Sequence, residues 1–392
     1  MRLSRFLPRI ARLAWCTLSL AVLSAGAQNP PAPATPPTAL SAQPVASGLR
    51  NPWGLAFLPE GRFLVTERPG RMRVVEADGR LGEPLAGLPA VAAGGQGGLL
   101  DVVLDSGFAG NRTLYFCYSE PAEGGRGNST ALARARLSQD RTQLQDVRVI
   151  FSQQPKVSSS SHFGCRIVER LVGGKPDGTL FLTLGDRYSR MADAQTLDNH
   201  LGKVVRVGKD GSVPKDNPFV GRAGALPEIW SIGHRNMQGA ALAPDGQLWT
   251  HEHGPQGGDE INVPQAGRNH GWPVVTFGEN YGGGRIGEGL TEKAGMEPPR
   301  KVWVPSIAPS GMAFLASERY GRAWQGSLFI GSLKFSRLHR LELGADGSIV
   351  REQLLLQDLG QRVRDVRQGP DGLLYLLTDA SNGQLLRLVP GV

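Results

Sequence analysis

A turn followed by a short apolar run recurs six times along this chain, and no other feature constrains the fold as strongly. Four clear copies lie at residues 58–67, 175–184, 243–250 and 369–378, and two looser copies lie at 111–118 and 325–331. Three of the clear copies contain Pro-Asp-Gly, in which Pro presets φ, Asp caps the turn and Gly takes the left-handed position. The repeat therefore predicts short strands that follow tight turns on one plan.

Six copies at uneven spacings suit blades that differ in their loops, and radial repetition protects sheet edges. The 53 Gly and 28 Pro residues agree with many turns between short strands, and no long amphipathic helix pattern competes. We therefore predict an all-β fold, a six-bladed β-propeller over residues 44–392. In such a ring, loops converge around one axis, so polar residues far apart in sequence can share a site.

The N-terminus has the pattern of an export signal. Four arginines between Arg2 and Arg12 precede an apolar run at residues 13–23, and Ala25-Gly-Ala27 supplies the small residues of a cleavage site. The apolar run is too short for a comfortable membrane span. We expect a signal peptide at residues 1–27 and a disordered Pro/Ala-rich tether at residues 28–43. The mature protein is then expected to be periplasmic or secreted, without stable membrane insertion.

Charge and cysteine content narrow the range of partners. The formal net charge of +8 includes the four arginines of the export signal. The mature chain is therefore only mildly basic, which does not suggest a nucleic-acid binder but suits an anionic ligand. Cys117 and Cys165 remain after cleavage; they could pair in an oxidising compartment, and buried free thiols are an equally good interpretation. Both a monomer and a homodimer are compatible with the sequence.

Candidate catalytic residues fall in separate stretches of the chain. Gln96 lies in a Gly-Gly-Gln-Gly-Gly turn, where a flat ligand could approach the backbone closely. His162 follows four serines, and a His side chain is best suited to take a proton near neutrality. Arg235 and Asn236 place a cation beside an amide, which can stabilise a developing oxyanion. Taken singly, each residue could equally belong to an ordinary turn or to the structural framework.

The loop at residues 253–260, His-Gly-Pro-Gln-Gly-Gly-Asp-Glu, predicts a calcium site. The backbone carbonyls of Gly254 and Pro255 and the carboxylates of Asp259 and Glu260 supply the hard oxygen ligands that calcium prefers. A zinc site on the nearby histidines is disfavoured because a third ligand is not evident.

Three cations stand late in the chain, Lys334, Arg362 and Arg364. The two arginines are two residues apart, so on a strand they project to the same side. Like charges on one face repel unless an anion lies between them, and Asp365 points the other way. Together with the residues above, these cations predict a planar, polyanionic ligand that is bound with calcium.

Eight motifs along the chain resemble the soluble quinoprotein glucose/sorbosone dehydrogenase family, and the chain looks closest to its aldose sugar dehydrogenase branch. The motifs are GGQGGLLDV, HFGCR, TLGDR, GHRNMQG, HGPQGGDEIN, NHGWP, GSLK and RVRDV. The likeness runs from about Gly48 to Leu388. It implies a six-bladed propeller that binds pyrroloquinoline quinone (PQQ) and calcium. It also implies oxidation of the anomeric carbon of aldoses to lactones by hydride transfer to PQQ, and electron delivery to an external acceptor, a quinone or a small redox protein.

The same resemblance implies a role for each candidate residue. His162 would be the general base, and Arg235 would stabilise negative charge on the quinone oxygen, with Asn236 beside it. The other cofactor contacts would come from Gln96, Lys334, Arg362 and Arg364. The carbonyls of Gly254 and Pro255 would hold the cofactor calcium, and Glu260, together with Asp259, would serve a second, structural calcium.

Two positions depart from the family pattern, and two other functions stay open. Ser161 stands where glucose-specific members carry an acid, so narrow glucose specificity is not expected, and Cys165 stands where a small residue is common. A calcium-dependent lactonase-type hydrolase would need side-chain metal ligands at the axis. A non-catalytic binding propeller would be expected to have lost some of the cations or the His.

Overall fold

A computed structural model describes residues 40–391, in which the strands form six four-stranded antiparallel sheets. The described chain begins with β1 (Leu40–Leu49). Blade 1 contains β2 (Pro52–Phe57), β3 (Phe63–Glu67), β4 (Arg71–Val75) and β5 (Leu81–Pro84). Blade 2 contains β6 (Leu99–Leu104), β7 (Thr113–Pro121), β8 (Asn128–Leu137) and β9 (Leu144–Ser152). Blade 3 contains β10 (Gly164–Val172), β11 (Lys175–Leu184), β12 (Lys203–Gly208) and β13 (Ile229–Ile232).

Blades 4 to 6 complete the ring. Blade 4 contains β14 (Met237–Leu242), β15 (Leu248–Glu252), β16 (Asp259–Asn262) and β17 (Lys301–Trp303). Blade 5 contains β18 (Pro309–Phe314), β19 (Leu328–Ser332), β20 (Arg337–Leu343) and β21 (Ile349–Leu355). Blade 6 contains β22 (Val363–Gln368), β23 (Leu374–Thr378) and β24 (Gly383–Pro390), with β1 as its fourth strand. The first strands of successive blades contact one another around the ring, and β22 returns to β2. The predicted six-bladed β-propeller is confirmed.

Helices contribute little to the described part of the chain. It has one short α-helix, α1 (Phe108–Asn111), and four 3₁₀ turns at Pro59–Gly61, Glu123–Gly125, Met191–Gln195 and Arg322–Trp324. Between residues 40 and 391, none of the helices has the length and apolar character needed to span a bilayer.

Each copy of the sequence repeat is the second strand of a blade, which explains why the repeat count equals the blade count. In blade 4 the Pro-Asp-Gly turn behaves as predicted: Gly246 has φ +85°, and Asp245 Oδ1 accepts a hydrogen bond from the Gln247 amide at 2.9 Å. Blade 3 differs. There Pro176 pairs with Leu171 inside the hairpin, and the turn lies at Gly173 and Gly174, three residues before the Pro-Asp pair. The Gly pair reaches positive φ at both positions, so it takes over the turn.

Strand β1 corrects the predicted N-terminal boundary. It pairs with β24 from Leu40↔Pro390 to Leu49↔Gly383, so residues 40–43 belong to blade 6 and not to a tether. These residues were missed because an edge strand that pairs with the C-terminus has no local hairpin signal. The expected signal peptide at residues 1–27, and the tether up to residue 39, lie outside the described residues.

The apolar cores lie between neighbouring blades, where strand faces pack against each other. One cluster joins blades 1 and 2 and contains Leu64, Val102 and Phe116; another joins blades 4 and 5 around Trp249 and Leu328. Removing such faces from water is the main favourable term in folding. The cores leave the strand ends free for polar residues.

Charged side chains meet on the inner strands near the axis. Asp101 on β6 accepts from Arg367 on β22 at 2.7 Å, and Asp365, also on β22, lies 2.9 Å from Arg166 on β10. Arg367 also pairs with Asp365 at 3.0 Å, and Arg166 lies 3.4 Å from Asp101. Both carboxylates and Arg166 are almost fully buried. We call these four residues the axial ion cluster; it joins three blades with balanced charge.

Deleting residues 1–49 should destabilise the ring strongly. The deletion removes β1, exposes the edge of β24 and removes Ala46 and Leu49 from a buried cluster. We expect a loss of about 3 kcal/mol or more in the free energy of unfolding, measured by urea denaturation. A deletion of residues 1–39, which keeps β1, is the control. Equal unfolding midpoints for the two truncations would contradict the closure role of β1.

Candidate active site

Most predicted binding residues meet at one end of the ring, in the segments that precede the first strands or join the second and third strands. They surround a cavity of about 520 Å³. Its lining includes five predicted binding residues, Gln96, Asn236, Lys334, Arg362 and Arg364, together with Arg68, Trp53, Phe163, Gln238, His253 and Asp379. We call this space the cationic cavity, since four of these side chains carry positive charge and one carries negative charge.

Arg364 on β22 and Arg362, which directly precedes that strand, share a counter-ion that the sequence did not reveal. Asp379 Oδ2 lies 2.9 Å from Arg364 and 3.3 Å from Arg362. The arginines do project to the same side, and Asp365 does point elsewhere, into the axial ion cluster. Asp379 of the chain itself supplies an anion between the two arginines, so their pairing alone does not require an external anion. Although burial opposes it, the two cations lower the pKa of Asp379 below its ordinary value, so the carboxylate stays ionised.

Several positively charged side chains of the cationic cavity nevertheless have donor groups without a partner in the described chain. Lys334 is exposed and forms no ion pair with any residue between 40 and 391. The buried Nε atoms of Arg68 and Arg364 donate to no atom of the described chain. Arg68 uses its terminal nitrogen on the Gly95 carbonyl, and Arg364 also donates to Gln238 at 3.3 Å. Buried donors without acceptors are costly, so these atoms indicate a site built for an anionic ligand.

His162 does not line this cavity itself, but the next two residues, Phe163 and Gly164, do, and a carboxylate holds the His162 ring. Its Nδ1 lies 2.6 Å from Asp186 Oδ1, and both side chains are buried. Asp186 is itself fixed by the indole nitrogen of Trp272, which donates to Oδ2 at 2.8 Å, and by the Tyr188 amide, which donates to Oδ1 at 2.8 Å. A carboxylate on Nδ1 leaves Nε2 as the lone-pair nitrogen of the neutral ring. The pair is therefore arranged as an oriented general base.

The surroundings keep His162 neutral. Burial lowers the pKa of His162 below its ordinary value; Asp186 opposes this shift, and the nearby Arg235 cation adds to it. A base with a lowered pKa is ready to accept a proton at neutral pH, and it loses that ability only as the pH falls through the lowered pKa.

The backbone at His162 is unusual. His162 has φ +52°, and the turn is followed by Gly164 at +67° and Cys165 at +81°. The His162 amide donates to Gln96 Oε1 at 2.8 Å. Gln96 thus lines the cavity and also holds the backbone of the base, a second function that its sequence context did not indicate.

Arg235 organises the loop that was predicted to bind calcium. Its Nη1 donates to the carbonyls of His253 at 3.0 Å and Gly254 at 2.8 Å, and its guanidinium lies 5.3 Å from the Trp272 ring. Asn236 Oδ1 accepts from Gln238 at 3.2 Å and from the Gly164 amide at 3.3 Å. Arg235 therefore connects the Trp272 side of the site with the calcium loop.

Asp259 has a different part from the one predicted. Its Oδ1 accepts from the Gly254 amide at 2.9 Å, and its Oδ2 accepts from Ser306 at 2.5 Å and from the amides of Ile307 and Ala308 at 2.7 and 2.8 Å. Four donors occupy this carboxylate. The geometry therefore makes Asp259 a brace of the calcium loop and does not support it as a metal ligand.

Glu260 lies beside a second carboxylate, Glu252, its cross-strand partner. Burial, and then the charge of Glu252, raise the pKa of Glu260 well above its ordinary value. Asn262 donates to both carboxylates, at 3.0 Å to Glu252 and 3.3 Å to Glu260. A buried and a half-buried carboxylate paired across two strands favour a proton or a cation between them. Within the described chain, no group of three or more acidic, His or Cys side chains is arranged to hold a metal.

One further cavity adjoins the cationic cavity, and a second adjoins that one through Pro255 and Tyr281. One, of about 540 Å³, shares His253, Ala308 and Lys334 with it and is lined by Gly254 and Pro255. The other, of about 280 Å³, is lined by Arg235 and by the apolar and aromatic side chains Tyr188, Met191, Trp272 and Tyr281. An additional cavity of about 470 Å³ is lined mostly by apolar inner-strand residues and contains none of the predicted site residues.

Several residues of the site were not predicted, among them Arg68, Asp186, Gln238, Trp272 and Asp379. Asp186 and Trp272 lie inside the motifs TLGDR and NHGWP. The motifs were recognised, but they did not indicate a role for either residue. Asp379 is a single acid that follows a strand. Its pairing depends on the spatial meeting of two strands in one blade, for which the local sequence has no signal.

Comparison with known proteins gives one consistent result. A family model described as Glucose / Sorbosone dehydrogenase matches residues 49–387. Aldose sugar dehydrogenase YliI of Escherichia coli K12 is 46% identical over 357 residues, which cover 90% of this chain and 94% of that protein. Quinoprotein glucose dehydrogenase B of Acinetobacter calcoaceticus is 27% identical, over 86% of this chain and 85% of that protein.

Two solved structures extend the likeness to three dimensions. The apo form of the soluble E. coli aldose sugar dehydrogenase superposes with a TM-score of 0.84 at 44% identity, over 90% of this chain and all of that one. The PQQ-bound aldose sugar dehydrogenase of Streptomyces coelicolor superposes with a TM-score of 0.72 at 28% identity, with the same coverage.

Replacing Asp186 by Asn should change the titration of His162. In the native protein, Asp186 should keep the proton of the neutral ring on Nδ1, and burial should keep the ring neutral at pH 7. Asp186 is also the group that raises the His162 pKa, so its neutralisation should lower that pKa further. Imidazole ¹⁵N NMR against pH measures both properties. Asp210→Asn, in an exposed turn, is the control, and an unchanged tautomer and pKa in Asp186→Asn would contradict the pairing.

Proposed function

The chain belongs to the glucose/sorbosone dehydrogenase family, and we propose that it is a PQQ-dependent dehydrogenase that oxidises the anomeric carbon of aldoses to lactones. The observation that carries this proposal is the oriented base His162–Asp186 at the edge of a cavity lined by four cations and one acid. The names of the relatives agree with it, since they include aldose sugar and glucose dehydrogenases, and one related structure is PQQ-bound.

The residues of the cationic cavity fit a flat anion with three carboxylates. Lys334, Arg362 and Arg364 would hold the carboxylates of PQQ through charge-assisted hydrogen bonds. Gln96 and Asn236 would contact the ring system. The buried donors Arg68 Nε and Arg364 Nε, which have no acceptor in the described chain, support this assignment. When bound, PQQ supplies the acceptor for the hydride that leaves the anomeric carbon.

Calcium is the proposed partner of the cofactor, held by the carbonyls of Gly254 and Pro255. Several backbone carbonyl oxygens of this loop lie close to Gly254. A Cβ added at Gly254 would lie 2.1 Å from the Gly257 carbonyl oxygen and 2.4 Å from the Gly258 carbonyl oxygen. The Gly254 carbonyl already accepts from Arg235, but a carbonyl oxygen has two acceptor sites. We propose Glu260 with Glu252, and without Asp259, for the second, structural calcium, because a cation there would offset the negative charges of a buried and a half-buried carboxylate.

His162 would take the proton of the anomeric hydroxyl through Nε2. Asp186 fixes the ring through Nδ1 and stabilises the imidazolium that forms, and Trp272 and the Tyr188 amide hold Asp186 in turn. As the hydroxyl loses its proton, electron density on its oxygen favours departure of hydride from the carbon. General base catalysis of this kind contributes roughly 10²- to 10⁴-fold in rate.

Arg235 would stabilise the negative charge that develops during oxidation, from a position fixed by two carbonyl oxygens and the Trp272 ring. The cavity lined by Tyr188, Met191, Trp272 and Tyr281 opens beside Arg235, and we assign the aldose to it. Its wall of aromatic and apolar side chains agrees with the absence of an acid at Ser161, and broad aldose specificity is the expected result. An external quinone or small redox protein would accept the electrons, in the periplasm or outside the cell.

The cationic cavity favours this function over the two alternatives. A calcium-dependent lactonase would need carboxylate ligands around the axis, where the structure has the balanced axial ion cluster and, above it, an excess of cations. A binding propeller without cofactor would have no need of an excess of cations beside an oriented base.

The direct test is reconstitution of the apoprotein with PQQ and calcium, followed by dye-linked oxidation of an aldose panel. We expect turnover that requires both additions and that chelation of calcium abolishes. His162→Ala should bind PQQ with unchanged affinity and lose about 10²-fold or more in kcat. Wild-type protein that binds PQQ without oxidising any aldose would exclude the proposed activity, and full turnover by His162→Ala would remove His162 from the mechanism.

Lys334→Gln should weaken PQQ binding and leave the fold intact. Lys334 is exposed and unpaired within the described chain, so its loss removes a cofactor contact without leaving a buried charge. We expect a rise of about tenfold in the PQQ dissociation constant, measured by fluorescence titration, and a weaker dependence of binding on salt. Lys175→Gln, in the hairpin turn at the opposite end of blade 3, is the matched control. Equal affinities in the two variants would show that Lys334 does not contact the cofactor.

A further inference from the structure

The segment that carries His162 is tied to the neighbouring blade by a disulfide. Cys117 on β7 of blade 2 is bonded to Cys165 at the start of β10 in blade 3, with their Cα atoms 5.8 Å apart. Both residues are fully buried, in a cluster that also contains Trp53, Leu100 and Phe163. The pairing settles the question that the sequence left open between a disulfide and two free thiols.

Cys165 lies three residues after His162 in a strained turn. Two residues with side chains, His162 and Cys165, have φ of +52° and +81°, a region that favours glycine. The strand pairing is also irregular here, with a register shift between Gly164 and Ile167. Strained backbone persists only where its surroundings hold it in place.

Three links from blade 2 hold this segment. Gln96 Oε1 accepts from the His162 amide at 2.8 Å, and the Thr130 hydroxyl donates to the Phe163 carbonyl at 2.7 Å. The disulfide is the third link and the only covalent one among the three. On the blade 3 side the segment crosses close to the following strand, since a Cβ at Gly185 would lie 2.0 Å from the His162 carbonyl oxygen. The segment has little freedom while these links remain.

We propose that the Cys117–Cys165 disulfide is a positioning element for the catalytic base, which holds the strained 162–165 segment so that His162 faces the cofactor cavity. The inference rests on the proposed function for its kinetic consequence. A disulfide that served only global stability could join any two buried strands. This one joins the strand that begins beside the base to the blade that supplies Gln96.

The backbone conformation of Cys165 gives a way to separate positioning from stability. In Cys117→Ala/Cys165→Ala the disulfide is lost while a side chain remains at φ +81°, so the segment should relax and His162 should shift. In Cys117→Ala/Cys165→Gly the disulfide is equally lost, but Gly adopts this φ without strain. The Gly variant should therefore recover the native backbone.

The experiment compares both variants with wild type and with Val207→Ala, a cavity variant in the same buried cluster that is remote in sequence from the disulfide and the base. All are studied as reconstituted enzymes well below their melting temperatures. We expect the Ala variant to lose about tenfold in kcat, with unchanged PQQ affinity, a shifted acid limb of the pH profile and a changed His162 ¹⁵N signal. The Gly variant should return to within about threefold of wild type, and Val207→Ala should lose melting temperature but keep kcat.

The outcomes separate the two proposals. If wild type turns over and the Ala variant matches it in kcat, pH profile and His162 signal, the disulfide is a stabiliser only and the positioning role is overturned. If the Ala and Gly variants lose kcat equally, the strain argument is wrong. If wild type oxidises no aldose, the proposed function fails, and the His162 ¹⁵N signals of the variants still decide whether the disulfide positions the ring.

Discussion

The arrangement of charge around the propeller axis governs the rest of this structure. The first strands of six blades meet there, and their inward side chains must either fill the space or pair with one another. The axial ion cluster pairs two carboxylates with two guanidinium groups drawn from blades 2, 3 and 6. Buried ion pairs seldom add much net stability, but removal of one partner is strongly destabilising. The cluster therefore fixes the relative placement of three blades, whose ends supply Gln96, His162 and Arg364 to the site.

The net charge rises from neutral in the axial ion cluster to positive in the cationic cavity. Arg166 lies in the cluster, and its guanidinium is 4.1 Å from the Trp53 ring; Arg364 approaches the same ring at 5.8 Å from the cavity side. Trp53 thus separates a neutralised layer from a layer with excess cations. Burial lowers the pKa of Arg364, and an anionic ligand would relieve that cost. Asp379 neutralises part of the excess and pairs with both Arg362 and Arg364.

The sequence predicted the elements whose signal is local. Turn chemistry and short apolar runs marked the second strand of every blade, and five of the six predicted cofactor-binding residues line one cavity. Features that depend on distant pairing were not found: β1 pairs with the C-terminus, Asp379 pairs across a blade, and Trp272 reaches Asp186 from another blade. Asp259 shows a different limit. Asp259 is an acid in a loop that suits a metal. The four hydrogen-bond donors that occupy its carboxylate come together only in the folded chain, so the sequence could not show them.

The pairing of β1 with β24 also determines the order in which the chain can complete its structure. A strand at the N-terminal end of the domain has no partner until the last strand exists, so blade 6 is the final sheet to form during synthesis from the N-terminus. Contacts between the two ends of a chain form slowly, because loop closure must precede them. Until β1 and β24 pair, each has an unpaired strand edge that can pair with other chains. Because the ring closes only after β24 has been synthesised, the nascent chain depends until then on protection from aggregation.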